Sequence, residues 1–483
     1  MHERYRDDSF ALHTDLYQIN MVQVYRKQGI DRRKSVFDIY FRKLPFGNGY
    51  AVFAGLERMV EYIENFRVSD EDAAYLREEL GYPADFVEYL QTIRFTGELQ
   101  SVREGELVFG NEPLVRVTAP LAEAQLIETA LLNIVNYQTL IATKAARMKQ
   151  VIGDQPAYEF GSRRAHEMDA ALWGARAACI AGFDGTSNVR AGKRFGVPVS
   201  GTHAHAFVQA YNDEYAAFKA YASTHRDCVF LVDTYDTLKS GVPNAIRVAK
   251  EMGDKIRFVG IRLDSGDLAY LSKRARIMLD EAGFPDAKII ASNDLDEYTI
   301  INLRAQGAKI DGWGIGTKLI TAYDNAALGA VYKLAAIEDE QGQMRDVIKI
   351  SSNPEKTTTP GVKEVFRIVN RDTGKAEGDY IALAGEDPNE EKSLTLFNPI
   401  HTYIRKVVTR FEARKLHVPV FQDGRRVYEL PAMKEIREFA SRNMDLLWDE
   451  YKRSLLPEVY PVVLSKRCWE NRLHLIEANR KEE

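Results

Sequence analysis

Seven short apolar runs in the middle of the chain, between about residues 157 and 336, each end in residues that could do chemistry. Acids, arginines, histidines, hydroxyl groups and glycines are concentrated at these ends, whereas the segments between them have helical spacing. Such residue types bind phosphates and sugars and transfer protons or phosphoryl groups. The run ends are residues 159–163, 184–187, 201–205, 233–236, 262–267, 292–294 and 312–318.

The last of these run ends contains alternating glycines followed by a threonine. Glycines at alternate positions after a strand let backbone N–H groups approach an anion, and a helix that begins at Thr317 would add its positive end. Gly314, Gly316 and Thr317 are therefore predicted to hold a phosphate. A tight turn without a ligand is the alternative, since glycine also marks ordinary turns.

The segment 262–267 places one arginine and two acids directly after a strand. The guanidinium of Arg262 can donate two hydrogen bonds to a carboxylate or a phosphate. The carboxylates of Asp264 and Asp267 can accept hydrogen bonds from sugar hydroxyls or bind Mg²⁺. The alternative is structural: an arginine–aspartate ion pair, with Ser265 or Asp267 capping the next helix.

Two histidines, His203 and His205, lie where another run meets a helix. A histidine in that position can act as an acid, a base or a nucleophile toward phosphorus. The pair could also bind a metal, but the nearby sequence offers no further ligand cluster, so metal binding is the weaker interpretation. Asp233 and Asp236 follow the next run, and helix capping explains them at least as well as sugar binding does.

The runs and the helical segments between them predict repeated strand–helix units with a parallel sheet that is buried on both faces. If the units close into a barrel, the carboxyl ends of the strands meet on one rim, where one composite site can form. Residues 151–337 are predicted to be this barrel. Residues 1–150 are predicted to form an α/β sandwich domain with a linking helix over about 121–148. Residues 338–483 are predicted to be a mixed region that partly returns to the sandwich and ends in helices.

Smaller elements outside the barrel follow from the same reasoning. The pattern predicts a helix that Thr14 and Asp15 cap and Gly29 stops, a strand over 35–41 and hairpins over 95–118. Further predicted elements are helices over 52–66, 69–80 and 83–92, short strands over 347–350 and 363–368, and helical structure over 430–480.

Composition is that of an ordinary soluble globular protein. Of the 483 residues, 45% are hydrophobic and 28% are charged. The net charge of −5 does not indicate the positively charged surface that nucleic-acid binding needs. Cys179, Cys228 and Cys468 lie far apart, which fits a reducing compartment. The N-terminus lacks the apolar core of a signal peptide, and the apolar runs fall short of the ~20 residues that span a bilayer. A cytoplasmic protein without membrane or nucleic-acid partners is expected.

Several ordered motifs resemble those of the nicotinate phosphoribosyltransferase family, and the resemblance covers most of the chain. The matching segments are residues 14–18, 159–164, 201–205, 231–237, 262–267 and 314–317. The resemblance implies a type II phosphoribosyltransferase fold, an irregular α/β barrel beside an α/β sandwich. It also implies that nicotinate and 5-phosphoribosyl-1-diphosphate are joined to give nicotinate mononucleotide and pyrophosphate in NAD biosynthesis, with Mg²⁺ and coupled ATP hydrolysis.

The resemblance also implies roles for residues of the barrel. His205 matches a histidine that is transiently phosphorylated, whereas His203 occupies a variable position. Thr202 and Arg262 match residues near the nicotinate and phosphoribosyl groups, and Thr317 matches a residue that contacts the 5-phosphate. Acids such as Asp264 are expected to hold the ribose, while Mg²⁺, arginine and backbone amides stabilise the departing diphosphate.

The pyridine ring is expected to lie between two aromatic side chains. Tyr17 matches an aromatic residue that reaches the ring across a dimer interface, with Phe160 stacked opposite it. Arg163, in the same motif as Phe160, completes the predicted substrate-binding set. A homodimer with the site at its interface is therefore implied.

Ser187 bears on the choice of substrate. The related nicotinamide phosphoribosyltransferases carry an aspartate at this place, which accepts a hydrogen bond from the amide. A buried acid there would repel the carboxylate of nicotinate, whereas a hydroxyl can donate to it. Nicotinate is thus the expected substrate. The alternatives are a phosphoribosyltransferase for nicotinamide or quinolinate, and a non-enzymatic sensor of a phosphorylated sugar.

Overall fold

Two units make up the part of the chain that the computed structural model describes, which comprises residues 10–211, 213–353 and 356–480. One unit runs from Ile141 to Ala326, and the other unites the chain up to Leu140 with the chain from Ala327 onward. The first boundary falls inside the long helix that was predicted to link two domains. Each unit thus has its own core, and the second is assembled from both ends of the sequence.

The N-terminal part begins with a helix whose ends were predicted correctly. The side chain of Gln18 accepts a hydrogen bond from the backbone N–H of Asp15 at 2.8 Å, and Gly29 ends the helix at φ 69°. The elements are α1 (Leu16–Gln28), β1 (Lys34–Tyr40), β2 (Ala51–Val52), α2 (Leu56–Asn65), α3 (Asp70–Glu78), α4 (Ala84–Thr92), β3 (Glu98–Val102), β4 (Leu107–Val108), β5 (Val115–Pro120), α5 (Leu121–Leu126) and α6 (Glu128–Ile152).

The barrel unit alternates strands and helices, as the sequence predicted. Its strands are β6 (Ala157–Glu159), β7 (Gly185–Thr186), β8 (Asp227–Leu231), β9 (Arg257–Leu263), β10 (Lys288–Ala291) and β11 (Gly312–Ile315). Its helices are α7 (Met168–Ile180), α8 (Val189–Phe195), α9 (His205–Ala210), α10 (Glu214–Thr224), α11 (Val242–Met252), α12 (Leu268–Glu281), α13 (Glu297–Ala305) and α14 (Thr317–Ile320).

The six strands of the barrel unit are parallel, in the order β7-β6-β11-β10-β9-β8. Between the edge strands β7 and β8 lies the segment 197–203, which contacts both. Val199 forms an isolated parallel bridge with Thr186, and a ring nitrogen of His203 is 3.4 Å from the backbone N–H of Leu231. The sheet is therefore an irregular half-barrel, which brings the carboxyl ends of its strands to one rim.

The C-terminal part returns to the N-terminal sheet and adds a second one. Its elements are β12 (Val331–Glu338), β13 (Met344–Asp346), β14 (Lys363–Asn370), β15 (Ala376–Leu383), β16 (Ser393–Phe397), β17 (Arg405–Thr409), β18 (Phe411–Lys415), β19 (His417–Gln422), β20 (Arg425–Arg426), α15 (Met433–Leu446), β21 (Val462–Leu464) and α16 (Lys466–Asn479). The main sheet has the order β13-β12-β1-β5-β3-β19-β20, and a four-stranded sheet has the order β18-β14-β15-β21.

Three predictions of elements need correction. The long helix predicted over 121–148 is two helices, which meet at Ile127. The strand predicted over 347–350 lies earlier, as β13, because Lys349 exchanges hydrogen bonds with Thr358 instead of extending the ladder. The helical stretch predicted over 430–480 is interrupted by β21, where the β-branched Val462 and Val463 follow a proline and pair with β15.

Apart from these shifts, the predicted α/β fold is confirmed. Within the described ranges, every helix is too short or too polar to cross a lipid bilayer.

Candidate active site

A cavity of about 550 Å³ lies at the carboxyl ends of the barrel strands. Six of the seven run ends contribute directly to its wall, because parallel strands bring their carboxyl ends to the same edge. The lining residues are Phe160, Ser162, Arg163, Arg164, Ser187, Gly201, Thr202, His203, Ala204, His205, Leu231, Arg262, Asp264, Ser292, Asn293, Asp294, Gly314, Gly316 and Thr317.

Ten of the eleven predicted site residues line this one cavity. They are Phe160, Arg163, Ser187, Thr202, His205, Arg262, Asp264, Gly314, Gly316 and Thr317. The eleventh, Tyr17, lies on α1 in the other unit and is 48% exposed. Burial, together with the neighbouring carboxylates of Glu128 and Asp15, raises the pKa of Tyr17 to about 12, so its hydroxyl stays protonated.

His205 begins α9 and stands between a hydroxyl and a carboxylate. Its Nδ1 lies 3.1 Å from Oγ1 of Thr234, and its Nε2 lies 3.9 Å from Oδ2 of Asp264. The imidazole is 37% exposed, so it is held in place and still open to the cavity. This arrangement suits a histidine that exchanges a proton or a phosphoryl group.

Asp264 is itself held by neighbouring loops. Its backbone N–H donates to Oδ2 of Asp233 at 2.9 Å, and the same oxygen accepts a hydrogen bond from Ser265 at 2.6 Å. Ser292 donates its hydroxyl proton to Oδ1 of Asp264. Asp233 therefore supports the segment after β9 rather than capping a helix, and Oδ2 of Asp264 is left facing His205.

Arg262 is half-buried and only partly satisfied. One terminal nitrogen donates to the backbone carbonyl of His203 at 2.8 Å, whereas the buried Nε has no hydrogen-bond partner within the described part of the chain. Burial lowers the pKa of Arg262, and the carboxylates of Asp264 and Asp233 oppose that shift. A cation in this state can bind an anionic ligand without first breaking a salt bridge.

A buried acid precedes Phe160 in the chain, and a glycine packs against its ring. The side chain of Glu159 accepts hydrogen bonds from Thr186 at 2.6 Å and from the N–H of Gly161, and burial raises its pKa. A Cβ on Gly314 would come within 2.6 Å of the Phe160 ring. The glycine at 314 is therefore required by the ring that covers it, which the sequence interpretation as a phosphate cradle did not include.

The Gly316–Thr317 turn lines the cavity, but its helix differs from expectation. The helix that begins at Thr317 is α14, which ends at Ile320 and so has a single turn. The positive end expected of this helix is correspondingly weak, because the macrodipole grows with aligned peptide units. The backbone N–H groups of the turn therefore carry most of any interaction with a phosphate.

His203 has a structural position beside the cavity. Its ring is nearly buried among three aromatic rings, with centroids 5.1 to 5.8 Å away. Burial and the charge of Arg262 lower its pKa to about 4. His203 is therefore neutral near pH 7, and it accepts the N–H of Leu231 as a strand would.

Two acids for which the sequence left helix capping as an alternative do cap helices in the structure. Asp236 accepts hydrogen bonds from the N–H groups of Leu238 and Lys239, and Asp267 accepts one from Tyr270 at 2.9 Å. Other cavity residues were not singled out as site residues: Arg164, Ser292, Asn293 and Asp294. The last three formed one of the seven run ends, so their position after a strand was the signal that could have identified them.

The acids of the cavity are few. In the three described ranges there is no group of three or more histidine, cysteine or acidic side chains arranged to hold a metal. Asp264 and Asp294 line the cavity, and Oδ1 of Asp233 is buried without a hydrogen-bond partner among the described residues. Such a donor set fits a Mg²⁺ ion that takes most of its ligands from water and phosphates.

Comparison with known proteins agrees with this architecture along the whole chain. Residues 156–379 match the nicotinate phosphoribosyltransferase (NAPRTase) family, residues 12–136 match the NAPRTase N-terminal domain, and residues 362–472 match the C-terminal domain. The chain is 66% identical over 482 residues to a nicotinate phosphoribosyltransferase of Bacillus subtilis (strain 168), covering 99% of this chain and 98% of that protein.

Solved structures show the same fold. The crystal structure of human nicotinic acid phosphoribosyltransferase is 30% identical with a TM-score of 0.84, and the match covers 96% of this chain and 99% of the human one. A nicotinate-nucleotide pyrophosphorylase from Pyrococcus furiosus, 22% identical with a TM-score of 0.69 over 91% of this chain and 97% of that chain, shares the fold. With domains, sequence and fold in agreement, the chain belongs to the nicotinate phosphoribosyltransferase family.

Proposed function

We propose that the protein transfers the phosphoribosyl group of 5-phosphoribosyl-1-diphosphate to nicotinate, forming nicotinate mononucleotide and pyrophosphate in NAD biosynthesis. The observation that carries this proposal is the lining of the barrel cavity, which combines an aromatic ring, three arginines, two carboxylates and a glycine turn. An aromatic heterocyclic acid and a polyanionic sugar need these groups together.

The nucleophile in this reaction is the pyridine nitrogen of nicotinate, which attacks C1 of the sugar while the bond from C1 to the diphosphate oxygen breaks. The leaving diphosphate takes the electron pair, and positive charge develops on the ribose. Arg262 and Asp264 both line the cavity. In the proposed reaction Arg262 would stabilise the diphosphate, and Asp264 would accept hydrogen bonds from ribose hydroxyls. Asp264 or Asp294 would hold a Mg²⁺ ion, which would supply positive charge near the leaving group.

The nicotinate ring is proposed to stack on Phe160, with its carboxylate near Arg163 and the hydroxyl of Ser187. Tyr17 of a second copy would cover the other face of the ring, which makes a homodimer part of the proposal. The Gly316–Thr317 turn would receive the 5-phosphate through backbone N–H groups. A cytoplasmic location fits three free, buried cysteines.

ATP hydrolysis is proposed to be coupled to synthesis through His205. A ring nitrogen of His205 would take the γ-phosphoryl group of ATP and release ADP, and water would later cleave the P–N bond. A phosphohistidine in the cavity that Arg262 and the Gly316–Thr317 turn also line would add charge and order the diphosphate site. The half-exposed position of His205 in the cavity supports this step.

The test is pyrophosphate release and product identification with nicotinate, nicotinamide and quinolinate, each with and without ATP. We expect product with nicotinate and a higher rate with ATP. Preference for nicotinamide would show that Ser187 does not select the acid, and preference for quinolinate would exclude the proposed reaction. Binding of the sugar diphosphate without any pyrophosphate release would favour a sensor.

His205→Ala tests the ATP step separately. We expect loss of both ATP hydrolysis and ATP-stimulated synthesis, while a slow ATP-independent synthesis persists. His225→Ala is the matched control, because His225 is an exposed histidine of the same unit outside the cavity lining. If His205→Ala retains both ATP-dependent activities, the phosphohistidine is ruled out.

A further inference from the structure

An ion pair joins two of the loops that form the cavity. Nζ of Lys318 lies 2.6 Å from Oδ2 of Asp296, and the two side chains are 25% and 14% exposed. Lys318 directly follows Thr317, and Asp296 lies two residues after Asp294. The pair therefore connects the turn that follows β11 to the loop that follows β10, although neither of its members lines the cavity.

Both ends of this ion pair are fixed to secondary structure. Oδ1 of Asp296 caps α13 by accepting a hydrogen bond from the N–H of Thr299 at 2.7 Å. The hydrogen bond to Asp296 raises the pKa of Lys318, and hydrogen bonds from Lys318 and Thr299 outweigh burial to lower the pKa of Asp296. The pair is thus ionised over the physiological pH range, and it fixes α13 relative to α14.

A second set of charges fixes the beginning of the same helix. Glu297, the first residue of α13, is fully buried and pairs with Lys144 at 2.9 Å and with Arg147, both on α6. Lys144 also pairs at 2.8 Å with Asp324, a few residues after α14. The beginning of α13 and the chain around α14 are therefore tied to one common support.

The loop between β10 and α13 needs such support. Asn293 has φ 119°, a conformation that L side chains rarely adopt, and its Oδ1 accepts a hydrogen bond from the N–H of Asp294 at 2.7 Å. Backbone strain of this kind persists only where the surroundings impose it. Asn293 and Asp294 both line the cavity, so the imposed conformation sets the shape of the site.

We propose that the Lys318–Asp296 ion pair sets the separation between the loop at Asn293–Asp294 and the turn at Gly316–Thr317, and thereby determines affinity for the phosphorylated sugar diphosphate. The two residues act as positioning residues, since they touch each other rather than the cavity. This inference rests on the proposed function, in which the turn receives the 5-phosphate. The nicotinate side of the cavity, formed by Phe160, Arg163 and Ser187, lies on other loops.

The experiment compares Lys318→Met, Asp296→Asn and the double variant by steady-state kinetics with each substrate varied. Asparagine keeps the helix cap at 296 but not the charge, and methionine keeps most of the length at 318. We expect KM for the sugar diphosphate to rise about tenfold in each single variant, because small misplacements of binding groups are costly. KM for nicotinate should stay within about twofold. The double variant should be no worse than either single one, and Lys318→Arg should retain most of the affinity.

A more exposed mutual ion pair elsewhere in the barrel unit provides the control, with side chains that are 71% and 56% exposed. Asp227 and Arg257 begin β8 and β9, at the end of the strands opposite the cavity, and their side chains pair there. Asp227→Asn and Arg257→Met should leave both KM values unchanged. Hydrogen exchange of residues 292–296 and 314–318 in the ligand-free protein gives an independent measurement, and it should speed up in the Lys318→Met protein.

The outcomes distinguish failure of the proposed function from failure of the role proposed for the Lys318–Asp296 ion pair. Inactivity of the wild type with nicotinate would contradict the proposed function itself, and hydrogen exchange would then still test the ion pair. An active wild type with unchanged sugar-diphosphate KM in both single variants would overturn the inference. So would an equal rise in the KM for nicotinate, or independent, additive effects in the double variant.

Discussion

Two arginines, one in each unit, show how differently the same side chain can be buried. Arg367, on β14, is fully enclosed: it makes a two-pronged contact with Asp379 at 2.9 and 2.7 Å and also binds Glu106 at 2.6 Å. Arg262, on β9, has one hydrogen bond to a carbonyl and a buried Nε without a partner among the described residues.

The difference indicates that the charge of Arg367 stabilises the fold, whereas the charge of Arg262 can bind a ligand. The Arg367 cluster is completed by Tyr460, which donates to Asp379 at 2.9 Å and stacks on Phe109. Its members leave no solvent-facing group for a ligand. Around Arg262 the acids are partly exposed and face an open cavity, so its hydrogen-bonding capacity is left for a substrate anion.

The largest expected effect comes from exchanging each arginine for methionine. Arg367→Met should lower the free energy of unfolding by about 3–5 kcal/mol, because it leaves Asp379 buried without a cation and Glu106 with Arg414 as its remaining partner. Arg262→Met should change stability little, but it should lower kcat/KM for the sugar diphosphate by about 100-fold or more, because it removes a cation at the developing diphosphate charge. Urea unfolding and steady-state kinetics of both variants measure these effects.

The comparison requires that Arg367→Met affects stability but not activity, and that Arg262→Met affects activity but not stability. Folded Arg367→Met protein should keep wild-type kcat at a temperature well below its unfolding midpoint. If Arg367→Met lost activity while fully folded, or Arg262→Met lost stability as Arg367→Met does, the division into structural and ligand-binding arginines would be wrong.

Gly314→Ala tests the part of the cavity proposed to bind nicotinate, and its expected effect is intermediate. The added methyl group would lie 2.6 Å from the Phe160 ring, so the ring must move, at a cost of about 1–3 kcal/mol. We expect KM for nicotinate to rise about tenfold or more, with a smaller change for the sugar diphosphate. Gly312→Ala is the matched control, because its Cβ meets no described atom closer than 3.4 Å. Equal kinetics for the two variants would contradict the packing explanation.

His203 gives the smallest expected effect, through pH. Its folded pKa of about 4 lies below the unfolded value of ~6.5, so the unfolded state binds more protons between these values and stability falls as the pH falls. Between pH 7 and 5.5 the wild type should lose about 1 kcal/mol more than His203→Gln. Urea unfolding of both proteins at the two pH values measures the difference. Parallel pH dependences would show that His203 does not carry this linkage.

Much of the site could be predicted from sequence, for a topological reason. Strand–helix alternation places every run end at one edge of a parallel sheet, so His205, Arg262 and Thr317 could be grouped although 112 residues separate the first from the last. The family motifs then attached expected roles to those positions. Tyr17 is the exception, since its predicted role depends on a second copy of the chain.

The errors arose where local pattern and long-range contacts disagree. Residues 430–480 have helical spacing, but Val462–Leu464 gains more by pairing with β15, which the local sequence cannot indicate. Residues 347–350 read as a strand, yet Lys349 bonds to a loop nine residues further on. In both places, tertiary hydrogen bonds outweighed propensity.

By itself the sequence determined the fold class, because strand–helix alternation follows from periodicity. The motifs after the strands, through their resemblance to a known family, determined the family and ten of the residues that line the barrel cavity. Only the tertiary structure decided which polar side chains have their hydrogen bonds filled by the protein and which can still bind a ligand. Arginine is the same residue at 262 and at 367, but Arg367 is enclosed by Asp379 on the next strand and by Glu106, which lies 261 residues earlier in the chain. The same holds for Lys318 and Asp296, whose contact exists because neighbouring strands place the turns after them side by side.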